Sequence, residues 1–158
     1  MTSPRLTPQL AIQRIRHYCA YQERCHSEVR EKLYSFGLRP RETEAILAQL
    51  ITDNFLNEER FAVQFAGGKF RISHWGRNRI RSALRQKQVS EYCIRKALSE
   101  IPEADYHRLF LKTVTQRTAM LRHEKNIFVK KRKLQDYLLQ RGFETDLVRE
   151  AVRGLQNR

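Results

Sequence analysis

Apolar residues recur along nearly the whole chain at spacings of three and four positions, which is the period of an amphipathic α-helix. Leu10, Ile15 and Cys19 form one such stripe, and Val29 and Leu33 begin the next. No alternation of apolar and polar residues is sustained over six positions, so the pattern predicts no strands. The expected fold class is therefore all-α.

Residues that favour helix ends punctuate these stripes. Pro8, Pro40 and Pro102 stand where helices should begin, because the first helical turn tolerates the missing N–H of proline. Gly37 and Gly142 fit helix C-termini, where a left-handed backbone is needed. Residues with side chains suited to N-caps precede five of the predicted helices: Thr7, Ser27, Asn57, Ser90 and Thr145.

One pattern of helix, corner, apolar residue and helix occurs three times, at offsets of 51 and 105 residues. Its positions are Val29, Leu33, Gly37, Leu38, Ile46, Leu47 and Leu50, then Ile80, Leu84, Gln88, Val89, Ala97, Leu98 and Ile101, then Leu134, Leu138, Gly142, Phe143, Ala151, Val152 and Leu155. A further helix precedes each copy, at about 8–21, 58–72 and 103–123. The sequence thus predicts three tandem three-helix repeats, at 1–51, 52–101 and 102–158. Each repeat is too small to bury much surface alone, so we expect an elongated array.

The distribution of charge indicates that this helical protein has a binding function. The chain has 31 lysines and arginines against 17 acids, a formal charge of +14. Two segments concentrate this charge: 69–87 has seven basic residues and no acid, and 117–133 has seven basic residues and one acid, Glu124. Such clusters attract polyanions or acidic protein surfaces. The alternative is a solvated face that maintains solubility.

The first cluster has a helical geometry. Arg77, Arg81 and Arg85 are spaced by four residues, so they share one face of a predicted helix. Trp75 lies just before that helix, where it could stack on a base or anchor the helix entry by packing.

Motifs for catalysis, cofactors and membranes are missing. The sequence contains no phosphate-binding glycine loop and no H-x-x-x-H pair. Its three cysteines, Cys19, Cys25 and Cys93, form no C-x-x-C pair, which favours reduced buried thiols over zinc ligands. No apolar run approaches the length of a membrane span, and the first ten residues contain no apolar signal segment. We therefore expect a cytoplasmic protein with no cofactor, no metal, no catalytic residue and no membrane partner.

Several motifs in the centre of the chain resemble the RecX family, the bacterial regulators of the recombinase RecA. They are the run Asn54-Phe55-Leu56-Asn57-Glu58-Glu59-Arg60-Phe61-Ala62, followed by Phe65, Lys69-Phe70-Arg71, Trp75-Gly76-Arg77, Ile80, Leu84 and Lys87-Gln88-Val89. Arg24-Cys25-His26-Ser27-Glu28, Leu33 and Gly37 are similar to the first unit of the family, and Leu134, Leu138 and Arg141-Gly142-Phe143 to its last. The resemblance covers about residues 10–155. Gln88 departs from it by replacing a glycine, so that corner must close without one.

The resemblance implies three tandem three-helix repeats in an elongated, curved array. It implies a monomer that binds the RecA–DNA filament and mainly inhibits its ATPase, strand-exchange and co-protease activities. The protein would act in DNA repair, homologous recombination and the SOS response, and could touch single- or double-stranded DNA through backbone contacts. The alternative function is a direct DNA-binding module of the helix-turn-helix kind. The candidate binding residues are Lys69, Arg71, Arg77, Arg79, Arg81, Arg85 and Lys87, followed by Lys130, Lys131, Arg132 and Lys133.

Overall fold

The computed structural model describes residues 4–155, and within that range the chain forms nine α-helices and no strand. The helices are α1 (Pro8–Tyr21), α2 (His26–Ser35), α3 (Pro40–Thr52), α4 (Glu58–Arg71), α5 (Arg77–Gln86), α6 (Glu91–Ser99), α7 (Glu103–Met120), α8 (Ile127–Gln140) and α9 (Thr145–Arg153). The all-α prediction is confirmed, and the helices follow the predicted order of three groups of three. The repeat boundaries after residues 51 and 101 stay a prediction.

The repeated corner has the same backbone geometry in all three copies. The corner residues Gly37, Gln88 and Gly142 have positive φ angles of 83°, 62° and 98°. In each copy the next N–H bonds back to the carbonyl five residues earlier: Leu38 to Leu33 at 3.4 Å, Val89 to Leu84 at 3.1 Å, and Phe143 to Leu138 at 3.1 Å. This is the Schellman arrangement that satisfies the last carbonyls of a helix. Gln88 therefore adopts a left-handed conformation that the other two corners assign to glycine.

Three of the predicted helix starts are confirmed. Thr7 accepts a hydrogen bond from the Leu10 N–H at 3.3 Å. Asn57 and Ser90 accept equivalent bonds, at 2.9 Å from the Arg60 N–H and at 3.3 Å from the Cys93 N–H. Each bond satisfies one of the donors that a helix N-terminus leaves free.

The other two predicted caps are wrong by one or two residues. Helix α2 starts earlier than expected, with Cys25 as its N-cap, because the Glu28 carboxylate accepts the Cys25 N–H at 3.1 Å. Ser27 lies inside the helix and donates to the Lys87 carbonyl at 2.7 Å instead. Thr145 is already helical, and Glu144 is the cap before it.

The chain folds into two compact units. The first contains residues 4–65 and 84–97. Its core is made by buried faces of α1, α2 and α3, and the residues in it are Ala11, Ile15, Cys19, Val29, Leu33, Leu38, Ile46, Leu47, Leu50 and Leu56. Most of these residues belong to the apolar stripes and repeat positions of the sequence pattern, but Ala11 and Leu56 do not, and Leu10, which the pattern included, is 36% exposed.

The second unit contains residues 66–83 and 98–155, and aromatic rings dominate its core. Tyr106 on α7 lies between Phe70 and Phe143, with ring centroids 6.1 and 5.9 Å away. Phe110, one turn further along α7, meets Phe143 edge-on at 5.1 Å. Phe143 is fully buried, so its replacement by alanine would cost about 3–5 kcal/mol of unfolding free energy.

Candidate functional site

The first basic cluster extends from the end of α4 to just past the end of α5. Lys69, Arg71, Arg77, Arg79 and Arg81 belong to the second compact unit. Arg85 and Lys87 belong to the first. The environments of these cations differ widely.

Arg77, the first residue of α5, is held inside the second unit. Its guanidinium donates to Glu144 at 2.9 Å and to Glu103 at 2.6 Å. It also lies 3.7 Å from the centre of the Tyr106 ring, and the Arg77 side chain is only 16% exposed. Burial alone would lower the pKa of Arg77, but the bonds to Glu103 and Glu144 outweigh it and raise the pKa. This cation is therefore neutralised internally.

Arg77, Tyr106 and Glu144 are connected to one another by hydrogen bonds. The Tyr106 hydroxyl donates to Glu144 and accepts the Arg77 backbone N–H, the second bond being 3.1 Å long. Burial raises the pKa of Tyr106, and the hydrogen bond to Glu144 raises it further. The tyrosine thus stays neutral and donates its proton while Arg77 balances the carboxylate charge.

Trp75 lies between two of the candidate cations. The Lys69 ammonium is 4.8 Å and the Arg79 guanidinium 4.3 Å from its ring centre. Both distances are within the range of cation–π attraction, and Trp75 is half-buried. This geometry favours the packing role for Trp75 over stacking on a base.

The positive charges of the remaining members of the first cluster are offset less completely within the protein than that of Arg77. Arg71 is exposed, although its guanidinium nitrogens would lie 2.8 Å from a Cβ placed on Gly67. Arg81 donates to the neutral side-chain amide oxygen of Asn78 at 2.7 Å. In the first unit, Arg85 is exposed but pairs with Glu91 at 2.7 Å, and Lys87 lies 3.8 Å from Glu28.

The candidate residues of the second cluster lie on the first two turns of α8, which Asn126 caps by accepting the Phe128 and Val129 N–H groups. Lys130 is only 7% exposed and counts among the buried residues of that helix. Lys131 is half-buried and Arg132 is exposed. Lys133 pairs with Glu124 at 3.4 Å. Among these four candidate residues, Arg132 and Lys133 are therefore the most exposed and Lys131 is the next.

Glu124 is the only acid in this basic segment. The backbone N–H of Asn126 bonds to its carboxylate at 3.2 Å and, together with Lys133, lowers the pKa of Glu124. The carboxylate therefore remains charged and offsets one cation of the second cluster. The roles assigned to the eleven candidate residues stay a prediction.

A third group of cations, missed by the charge-run analysis, lines a pocket of about 730 Å³ in the first unit. Arg14, Arg24 and Lys32 surround Tyr18 and Tyr21 there. These residues are interleaved with apolar ones, so no run of basic residues marks them in the sequence. The available signal was the alternation of tyrosine and basic residues between 14 and 24.

Two surveys of the described residues bear on other site classes. Between residues 4 and 155, no three His, Cys, Asp or Glu side chains are grouped so that they could hold a metal ion. Over the same residues, none of the helices combines the length and the apolar character that a membrane crossing requires.

Comparison with protein-family models matches both basic clusters. The model described as the second three-helix domain of RecX matches residues 57–98, which include the first cluster. The model of the third three-helix domain of RecX matches residues 117–152, which include the second.

Curated proteins similar to this chain include regulatory protein RecX of Prosthecochloris aestuarii, which is 28% identical over 142 residues, covering 90% of this chain and 91% of the relative. Regulatory protein RecX of Bacillus cytotoxicus is 26% identical over 140 residues, which are 88% of this chain. The matched region is about half of that longer relative, at 51%.

Two solved structures have the same fold. The crystal structure of RecX from Lactobacillus salivarius superposes with a TM-score of 0.82 at 20% identity, covering 92% of this chain and 94% of the other. A crystal structure of regulatory protein RecX also superposes with a TM-score of 0.82, at 24% identity, covering 94% of this chain and 72% of the other. The helical repeats, the matched domains and the curated relatives together place this chain in the RecX family.

Proposed function

We propose that this chain is a non-enzymatic regulator that binds the RecA–DNA filament and mainly inhibits its ATPase, strand-exchange and co-protease activities. The observation that carries the proposal is that each basic cluster falls inside a segment matched to a RecX domain. A filament of protein and DNA presents dense negative charge along the nucleic-acid backbone. The proposal includes action as a cytoplasmic monomer, without a cofactor, in recombination and DNA repair.

Regulation follows from a difference in affinity. A protein that binds one conformation of the filament more tightly shifts the population toward that conformation. If the favoured conformation hydrolyses ATP slowly, the turnover of every contacted subunit falls. The chain then needs no catalytic residue of its own, only a surface that distinguishes the two states.

Among the candidate residues, four cations that are at least partly exposed and form no ion pair within residues 4–155 carry the contact. Arg71 and Arg81 supply it in the first cluster, and Lys131 and Arg132 supply it in the second. Arg77 and Lys130 serve the fold instead, because one is paired and the other buried. A triple charge reversal would be the natural test of the α5 face formed by Arg77, Arg81 and Arg85. Because it includes Arg77, however, it would confuse loss of binding with loss of folding.

The test is a pull-down with RecA assembled on single-stranded DNA, combined with an assay of RecA ATP hydrolysis. Two double variants are compared with wild type: Arg71→Glu with Arg81→Glu, and Lys131→Glu with Arg132→Glu. Each double variant reverses two charges, so it should lose about two to four ionic contacts with the filament. Its binding to the filament should therefore be weaker than that of wild type, and it should weaken further when salt is added. Circular dichroism establishes that helicity is retained.

The matched control is Lys112→Glu with Arg149→Glu. Both residues are exposed and lie on α7 and α9, outside the two clusters. The control makes the same change in net charge as each cluster variant. Because its two residues lie outside the clusters, it should inhibit ATP hydrolysis as wild type does. Equal inhibition by wild type and by both cluster variants would contradict the proposed surface, and no inhibition by wild type at saturation would contradict the function.

The alternative, a direct DNA-binding module of the helix-turn-helix kind, is separated by titration with duplex and single-stranded DNA without RecA at two salt concentrations. Tight binding that depends on duplex sequence would favour the alternative. Weak binding that falls steeply with salt fits the regulator.

A further inference from the structure

The pocket in the first unit lies between α1 and α2. Side chains from successive turns of α1 form one wall, and Lys32 of α2 and Phe36, the C-cap that follows α2, form the other. The α1 wall runs from Leu10 to Tyr21, a distance of about 16 Å at 1.5 Å per residue. The pocket is therefore an open trough about three helical turns long.

The charge of this trough is one-sided. Arg14, Arg24 and Lys32 line it, and no carboxylate does so among the described residues. Within residues 4–155 none of these three cations has a carboxylate oxygen within 4.0 Å. Glu28 and Glu31 line a neighbouring depression that shares Tyr18 and Lys32 with the trough and also includes Lys87. The trough thus contains three cations that form no ion pair within residues 4–155.

Aromatic rings alternate with these cations. The Arg24 guanidinium lies 3.7 Å from the centre of the Tyr18 ring, so one cation is already held in a stacked position. Its Nε also donates to the Tyr18 carbonyl at 3.2 Å, which fixes its orientation. Tyr21, one turn beyond His17 on α1, is 78% exposed at the end of the trough. An exposed tyrosine ring of this kind contributes little to the core and is free to stack.

We propose that this trough binds a short segment of single-stranded nucleic acid, with a base stacked on Tyr21 and phosphates near Arg14, Arg24 and Lys32. Rows of cations that follow a backbone, combined with aromatic platforms for bases, are how proteins hold single strands without sequence preference. An acidic peptide would pair with the cations but would have no base to stack on the Tyr21 ring. A single nucleotide would occupy only part of a trough of this length.

The binding assay uses the full-length chain and a fluorescently labelled oligomer of about ten deoxythymidines, followed by anisotropy at two salt concentrations. Stacking energies of this kind predict that Tyr21→Ala weakens binding about five- to a hundredfold. Arg14→Ala should lower the slope of the log–log salt plot by about 0.7. The matched controls, Tyr92→Ala and Arg41→Ala, change exposed residues of the same types outside the trough and should bind as wild type does.

Three competitors separate the occupants. An abasic oligomer of equal length keeps the phosphates and removes the bases, so it should compete much more weakly than the intact oligomer. Equal competition by that oligomer, by polyglutamate or by a mononucleotide would overturn the proposal. So would the absence of wild-type binding, or equal binding by Tyr21→Ala and wild type.

A second readout locates the contact directly. An oligomer containing 5-iodouracil, irradiated in the complex, should form its adduct on the peptide that contains Tyr21, as identified by mass spectrometry. Adducts confined to α5 or α8 would overturn the assignment. RecA is absent from both experiments, so their failure leaves the proposed regulation of the filament unaffected, and failure of that regulation leaves this site standing.

Discussion

Gly76 and Gly142 approach so closely that neither can carry a side chain. A Cβ on Gly76 would lie 2.4 Å from the carbonyl carbon of Gly142, and a Cβ on Gly142 would lie 2.4 Å from the Arg79 Cβ. The contact joins two helix ends: the Gly76 N–H donates to the Arg141 carbonyl and the Asn78 N–H to the Gly142 carbonyl, each at 2.8 Å. The beginning of α5 thereby supplies donors to the end of α8.

Replacing Gly76 by alanine should lower the free energy of unfolding by about 1–3 kcal/mol, because the added methyl group forces two backbones apart. Urea denaturation followed by circular dichroism measures this change. The control is Gly68→Ala in α4, where a Cβ meets no atom within 4 Å. This second substitution should raise stability by about 0.5–1 kcal/mol, since alanine favours a helix over glycine. Equal effects at the two positions would contradict the close contact.

Gln88→Gly should stabilise the protein. Gln88 has a φ of 62°, and a residue with a Cβ pays about 1 kcal/mol for that left-handed conformation. Glycine removes most of this cost, although its greater freedom in the unfolded chain offsets part of the gain. The same substitution at Gln116, exposed within α7, should instead destabilise by about 1 kcal/mol. Thermal melting curves of the two variants show whether stability rises or falls at each position. A loss of stability in both variants would count against the strained corner.

Arg77→Ala should destabilise the second unit by about 2–3 kcal/mol, because Glu144 and Tyr106 lose their cationic partner in a largely buried setting. Arg77→Lys should not restore the loss, since an ammonium cannot bridge two carboxylates with a planar fork. Chemical denaturation of each variant gives the values. Arg108→Ala is the comparison, since Arg108 pairs with Asp105 at the surface and should change stability by less than about 0.5 kcal/mol. Similar costs at Arg77 and Arg108 would refute the internal role.

Cys19 should make stability depend on alkaline pH. Burial raises the pKa of Cys19 to about 11, from 9.0. The folded protein therefore retains the thiol proton longer than the unfolded chain does. The resulting stabilisation is complete below about pH 9 and is lost as pH rises through 11. Urea denaturation at pH 8 and pH 10.5 should show a smaller decline for Cys19→Ala than for wild type.

Alkylation gives an independent measure of the same thiol. At pH 8, iodoacetamide should modify Cys19 at least tenfold more slowly in the folded protein than in urea, because the thiolate is the reactive form. Peptide mapping distinguishes Cys19 from the other two cysteines. Modification at equal rates in both conditions would show that the thiol is neither buried nor shifted.

The sequence by itself determined the features that depend on nearby residues. Helical stripes identified most of the core of the first unit, and the alignment of Leu33, Leu84 and Leu138 located three corners with one hydrogen-bond pattern. These features follow from bonds that span three to five residues, so a short window contains the information. The excess of positive charge was equally visible, because composition does not depend on folding.

Only the tertiary structure decided which cations remain available. Arg77 and Arg81 are one helical turn apart and chemically identical, yet Arg77 bonds to a glutamate 67 residues away while Arg81 meets a neutral amide. The state of a charge depends on what the folded chain brings within a few ångströms, and residues distant in sequence supply those partners.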